Sequence, residues 1–414
     1  MNRRDMLLGA TASAGALALG PRPAHAEEPI RIGLLAPLTG VVAAGGKDMV
    51  DGWNLWWDKQ GKKVAGREVE VIVEDDGSNP DTALNKARRL VQQRNVHMLV
   101  GNILANAGLA VAEYVKGTGT PYFIPIVAAD DLTQRQRIPN VIRVAGFSAS
   151  QITHPIGDYA LKQGHKKVVT IGQDYAFGHE QIGGFVQVFT AGGGQVLQQI
   201  WHPLNTADFS PYLAQIQGAG ADLVYCMENG ADAVRFLDQW SSFAMKDKLP
   251  LMGSQNLTDQ SVIRGMNEQP LGIVTTGHFA EGSPVPATKA FVAEYEKAYG
   301  KLPAMFSAAM YSGGLWITRA LEQVGGKVED KDKFLAAIRA LQVPDTAFGP
   351  SKLDEYGNPV WDIVIRKVVK RDDGKLWNVP IQTYPQVSQF WTYKPEDYLK
   401  KPVFSRNFQD IAGK

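Results

Sequence analysis

One cysteine, Cys226, stands in a chain of 414 residues. No internal disulfide can form, and the fold must hold by packing alone. Set between Val224-Tyr225 and Met227, the thiol reads as a small buried apolar residue, with no helix start or basic neighbour to activate it. Histidines number seven, and none stands in a His-Glu-x-x-His or His-x-x-x-His pair, so no metal site is expected. No Gly-x-Ser-x-Gly elbow occurs, and Gly192-Gly193-Gly194 reads as a helix end instead of a phosphate-binding loop. Net charge is +1 at pH 7, from 43 basic and 42 acidic side chains. That balance excludes a nucleic-acid footprint and a membrane-surface patch. With no catalytic constellation and no cofactor site in view, an enzyme is not expected.

What is present begins with residues 1–26, MNRRDMLLGATASAGALALGPRPAHA. A twin arginine (Arg3, Arg4), a weakly apolar stretch and the small-x-small end Ala24-His25-Ala26 form a cleavable export signal of the twin-arginine type. A membrane anchor is the alternative. From Met6 to Leu19 about 14 residues would reach only roughly 21 Å, short of a hydrocarbon core of about 30 Å. Cleavage after Ala26 would leave Glu27 as the first residue, in the periplasm. No cysteine lies there to carry a lipid, and no later apolar run is long enough to span a bilayer.

The length exceeds what one core usually serves, so two domains are expected. Strand-like runs at Ile30–Leu35, Val69–Val73, His97–Val100 and Tyr122–Ile126 alternate with helical stretches, the first over about Lys47 to Lys59. Asn79 and Pro80 open the second helix as cap and first-turn residue, and Ala83, Ala87, Leu90 and Val91 give it one apolar face. After a loop around Arg143–Ser150 the pattern restarts, with strands at Lys167–Ile171, Val196–Ile200, Leu223–Met227, Leu249–Met252 and Gly272–Thr276. Strands alternating with crossover helices imply parallel sheets covered on both faces, an α/β fold. Trp53, Trp56 and Trp57 share one helix face and read as packing. Glu74-Asp75-Asp76 reads as a solvated loop. Near the C-terminus, Trp361–Val369 and Phe390–Tyr393 read as a hairpin, with Asp372-Asp373-Gly374 as a turn signal.

The segments RIGLLAPLTGVVAAGGKDMVDG, VIVEDDGSNPDTA, LVGNILANAG, TPYFIPIVAADDLT, KVVTIGQDYAFG and ADFSPYLAQIQGAGADLVY follow one another over residues 30–280. In that order and spacing the chain resembles type I periplasmic solute-binding proteins of the branched-chain amino acid (Leu/Ile/Val-binding) ABC transporter family. The resemblance implies two α/β lobes, each a parallel sheet flanked by helices, joined by three crossover strands at a hinge. It also implies a ligand in the cleft and closure on binding. Residues 27–148 with 278–350 would form the N-terminal lobe, 149–277 with 351–385 the C-terminal lobe, and 386–414 a tail.

The cleft follows from the sheet as well, since ligands of open α/β sheets sit beyond the carboxyl ends of the strands. Those ends are the loops Ala36–Gly46, Gly101–Asn106 (with Asn102), Pro125–Asp130, Gly172–Phe177, Met227–Gly230 and Gly253–Leu257. A helix beginning near Asn106 would aim free N–H groups into the cleft, a place for a carboxylate; an ordinary cap at Asn106 is the alternative. Against the family pattern, Ala105 and Asn106 stand where a Ser or Thr is usual, and Ala128 where a Thr is usual. Gln255 stands where an acid would hold a ligand ammonium, Gly45 where an aromatic wall is common, and Phe177 where Tyr is common. An ammonium closed in without an anion is costly, so the resemblance with these departures implies a larger, less zwitterionic ligand. Space beside Gly45 and the apolar lining of Ile126, Ala128 and Phe177 suit an aromatic or branched aliphatic carboxylate. Glu228 keeps an amino acid or amide open if it faces the cleft. Asn229 is a hydrogen-bonding neighbour there, and Tyr175 a ring that could stack on a ligand.

The expected function is therefore a monomeric, extracytoplasmic substrate-binding component of an ABC importer. It would capture a small organic acid and present it to an inner-membrane permease and ATPase. The alternative is a periplasmic receptor that passes ligand occupancy to a membrane signalling protein.

Overall fold

β1 (Ile30–Ala36) is an apolar run buried along almost its whole length, as a central parallel strand requires. The computed structural model describes residues 28–412; the export signal expected over residues 1–26 lies outside the described residues. After β1 come α1 (Ala43–Lys59), β2 (Lys63–Val64), β3 (Arg67–Asp75), α2 (Pro80–Gln92), β4 (Met98–Gly101), α3 (Ala105–Thr118), β5 (Tyr122–Phe123) and β6 (Val141–Ile142). Their strands form one sheet in the order β2-β3-β1-β4-β5-β6, parallel except for the short β2–β3 hairpin.

The restart is α4 (His154–Lys162), β7 (Lys167–Gln173), α5 (Ala176–Ala191), β8 (Gln195–His202), α6 (Ser210–Gly218), β9 (Leu223–Met227), α7 (Ala231–Ser242), β10 (Leu251–Ser254), α8 (Gln260–Ile263) and β11 (Val274–Gly277). The chain then returns to the first lobe as α9 (Pro286–Tyr299), α10 (Met305–Gln323), α11 (Lys331–Ala340) and the pair β12 (Gln342–Thr346) and β13 (Gly349–Lys352). It finishes with β14 (Trp361–Lys370), β15 (Leu376–Val387) and the short α12 (Pro395–Tyr398). The second sheet runs β15-β14-β11-β10-β9-β7-β8. Three segments, 143–153, 278–285 and 353–360, cross between the two sheets, giving the two-lobed fold its hinge.

α10 lies against α1 through two gaps that only glycine leaves. A side chain at Gly52 would meet the Ser307 carbonyl at 2.1 Å, and one at Gly314 the Trp56 ring at 2.4 Å. Trp53, Trp56 and Trp57 are all buried, the packed face their spacing implies, and Trp56 Nε1 donates to Thr318 Oγ1 at 2.9 Å. Cys226 is buried in the second lobe, and burial pushes its thiol well above the ordinary range.

Four expectations change. The first helix begins at Ala43, not Lys47. The strand expected over Tyr122–Ile126 stops at Phe123, two residues before Pro125, which has no N–H to donate. The hairpin partner of β14 is Leu376–Val387, reached directly through Asp372-Asp373-Gly374 and running into the stretch expected as tail. Phe390 belongs instead to a tail cluster with Tyr398 and Phe404. Finally, Glu74-Asp75-Asp76 is not a solvated loop: Glu74 and Asp75 end β3, half-buried. Asp76 is buried, accepting from Asn102 Nδ2 at 2.6 Å and the Ser78 N–H at 2.9 Å, and burial lifts it to about 6. Among the described residues no helix is long and apolar enough to cross a membrane.

Candidate functional site

The loop after β1 and the start of α7 meet across the gap between the lobes. The Ala231 N–H donates to the Val41 carbonyl at 3.0 Å. Gly230, just before it, has φ +61°, and any Cβ there would stand 2.3 Å from that same oxygen; only glycine allows this approach. Farther along, Asp48 on α1 accepts from Lys301 Nζ at 2.8 Å and, across the gap, from Arg264 Nη2 at 3.2 Å. Asp259 Oδ2 accepts the Met305 N–H at 2.7 Å. Together these bonds tie the two lobes to each other.

On the first-lobe side, α3 begins at Ala105, with Leu104 as a cap residue that makes no side-chain bond. The Gly108 N–H is the first to bond back into the helix, to Leu104 O at 3.0 Å. Asn106 is thus the second helical residue, and its Oδ1 accepts the Ala107 N–H at 3.0 Å. Among the described residues the main-chain N–H groups of Ala105 and Asn106 have no protein acceptor. Asn102 is spent on the interior: its side chain donates to Asp76 and accepts from the Tyr122 hydroxyl at 2.7 Å. Ile126 and Ala128 are buried in the loop that follows β5. The space expected beside Gly45 is filled. A Cβ there would lie 2.8 Å from the Phe306 ring and 3.1 Å from Ile103, so an aromatic from α10 occupies the space that α1 leaves.

On the second-lobe side, Tyr175 caps α5 and Phe177 is its second residue. Their rings lie 6.1 Å apart, and Phe147 of the first crossing stands 6.5 Å from Phe177. The Asn229 side chain stands beside the Tyr175 hydroxyl, and burial raises that hydroxyl above its ordinary value. Glu228 is not a free anion facing the cleft. Its oxygens lie 2.9 and 3.0 Å from His202 Nε2, with both side chains fully buried. Burial alone would lower the imidazole, but the charge and hydrogen bond of Glu228 outweigh it and hold His202 above its ordinary value. Gln255 is fully buried, with Oε1 3.3 Å from His278 Nδ1. Among the described residues no group of three or more His, Cys, Asp or Glu could hold a metal ion.

The fold thus brings Tyr175, Phe177 and Asn229 together at the start of α5 and the end of β9, sets Gly45 against Ile103 and Phe306, and leaves Asn102 in the interior. Sequence reasoning missed Phe306, Phe147, His202 and His278. Of these only Phe306 carried a signal, as the aromatic beside the helix start after Pro303.

The family described as periplasmic binding protein matches residues 29–375. The chain is 30% identical over 362 residues to Leu/Ile/Val-binding protein homolog 6 of Brucella melitensis, covering 86% of this chain and 91% of that protein. Two solved structures from Rhodopseudomonas palustris are similar throughout. The solute-binding protein of an ABC transporter from strain BisB5, in complex with 3,4-dihydroxybenzoic acid, is 31% identical with a TM-score of 0.83, covering 88% of this chain and 99% of that one. A second such protein, in complex with benzoate, is 30% identical with a TM-score of 0.81, covering 87% and 97%.

Proposed function

The chain belongs to the periplasmic binding protein family, in its branched-chain amino acid transporter class, and from that premise we propose that it captures an aromatic carboxylate for an ABC importer. The observation that carries the ligand class is the loss of both places for an ammonium. Gln255 is neutral, and Glu228 is engaged by His202. A zwitterionic amino acid would close its cation into the cleft without a partner, at a cost of several kcal/mol. A carboxylate has what it needs: the N–H groups of Ala105 and Asn106 at the start of α3, aided by the helix dipole. The ring lies among Ile126, Ala128, Tyr175 and Phe177, with Phe306 closing the side at Gly45. The relatives bound to benzoate and 3,4-dihydroxybenzoic acid support this reading.

Residues 27–148 with 278–350, and 149–277 with 351–385, move as the two lobes about the three crossing segments. A ligand touching both lobes favours the closed form because it gains contacts there that the open form lacks. That form is presented to an inner-membrane permease driven by an ATPase. A thermal-shift screen tests the ligand class. Benzoate-type acids should raise the melting temperature by several degrees at millimolar concentration, while leucine, isoleucine and valine should leave it unchanged. Stabilisation by the three amino acids and not by the acids would reverse the assignment.

A further inference from the structure

Two buried polar atoms just beyond β10 and β11 have no partner among the described residues: Nε2 of Gln255 and Nε2 of His278. The two strands run parallel with Ser254 beside Thr276, so both side chains stand beyond adjacent strand ends, where ligands of parallel sheets bind. Burial, reinforced by the charge of Arg366, lowers the His278 imidazole to about 3. The ring is therefore neutral and carries one proton. An amide oxygen only accepts, so with Gln255 Oε1 at 3.3 Å that proton sits on Nδ1. His278 Nε2 is then a bare acceptor and Gln255 Nε2 a pure donor. Phe348 at 4.2 Å, Phe147 at 4.8 Å and Trp361 at 5.6 Å pack around the imidazole and fix its plane.

We infer that His278, its tautomer fixed by Gln255, reads a hydroxyl group on the ligand ring, so that the protein prefers hydroxylated aromatic acids to benzoate itself. This rests on the aromatic-carboxylate reading above. A phenol complements the imidazole, donating its O–H to His278 Nε2, while Gln255 Oε1 on the opposite ring edge keeps the ring's own proton on Nδ1. A carboxylate does not, because it has no proton to offer the imidazole lone pair. A ring without the hydroxyl leaves the His278 lone pair unpaired, and a site built around a hydroxyl discriminates strongly against the analogue lacking it. His278 also borders a cavity of about 110 Å³ with Phe279, Thr288, Phe348 and Pro380. A water there is the competing partner for its lone pair.

Titration calorimetry with benzoate, the 3- and 4-hydroxybenzoates and their methyl ethers separates these cases, on wild type, His278→Phe and Gln255→Leu. The phenylalanine keeps a ring among its aromatic neighbours, and the Gln255 carbonyl that accepts from Arg366 is main chain, so both variants should fold; thermal unfolding checks this. Wild type should bind one hydroxybenzoate at least about tenfold more tightly than benzoate and than its own methyl ether. His278→Phe should bring that ratio close to one while leaving benzoate affinity in place, and Gln255→Leu should reduce it. Benzoate binding wild type as tightly as both hydroxybenzoates overturns the inference, leaves the carboxylate reading standing and returns the lone pair to water. A preference unchanged in both variants overturns it as well. Failure of wild type to bind any of these acids overturns the carboxylate reading and this inference with it.

Discussion

Glu228 follows its strand in the sequence with no nearby cation to pair it, and in the fold it meets His202, which ends β8 on the far side of β7. Such a partner is invisible to sequence spacing because the order of strands in the sheet brings the two together. Breaking one side of a buried pair strands the other charge, at about 3–5 kcal/mol, whereas removing both sides costs less. His202→Phe should therefore lower the unfolding midpoint further than the double variant His202→Phe/Glu228→Leu does. Equal losses in thermal unfolding would mean the pair carries no such charge. Gly45 teaches the same limit at a single position. A missing side chain is plain in the sequence, but Phe306, which fills the gap, comes from a helix far along the chain. The tryptophans of α1 were legible because a helix face is a local property.

Among elements, the alternation of strands and helices was legible for the same reason, since each segment carries its own period. β15 was not, because Pro380 and Pro385 interrupt it. They are tolerated because β15 is the outer strand of its sheet, where a missing N–H breaks fewer ladder bonds. The aromatic run at Phe390 read as a strand but packs as a tail cluster, its rings mimicking strand composition. At the start of α3, Asn106 offers a test that separates fold from binding. Asn106→Asp places a negative charge in the first turn, which favours the helix, yet sets it beside a bound carboxylate. Unfolding should stay level or shift upward while affinity for benzoate-type acids falls about tenfold, roughly the effect of 1.4 kcal/mol. Unchanged affinity would remove the carboxylate from that helix start.

Across the whole molecule, the contacts that join the lobes lay beyond sequence reading, because each joins residues far apart in the chain: Val41 with Ala231, Asp48 with Arg264, Asp259 with Met305. A second junction is acidic. Asp130 of the first lobe accepts the Ser150 N–H at 3.1 Å, and Glu180 on α5 of the second stands beside it. Asp131, Arg143 and the Tyr398 hydroxyl stand close by. Burial lifts Asp130 to about 6 against the bonds of Ser150 and the charge of Arg143. Burial and Asp130 raise Glu180 well above its ordinary value. A carboxyl raised in the folded state contributes stability that is complete below its unfolded value and is lost as pH rises through the folded one. The carboxylates held low, Asp75, Glu296 and Glu329, lose their contribution only in more acidic solution. Buried His278 and His154, held at about 3, pull the other way below about pH 6.5, so the carboxyl contribution is read as a difference: the melting temperature of wild type relative to Asp130→Asn should grow from pH 8 to pH 5.5. A difference between the two proteins that stays constant or shrinks toward pH 5.5 would contradict the buried-proton reading.

Isothermal titration of the wild-type protein with benzoate-type acids and, separately, with leucine tests the central claim most directly. One acid should bind at one site per chain with a dissociation constant in the micromolar range, about −8 kcal/mol, and leucine should give no binding heat. Tight, saturable leucine binding with silence from every aromatic acid would contradict the claim and place an ammonium where Gln255 and the Glu228–His202 pair leave no free anion.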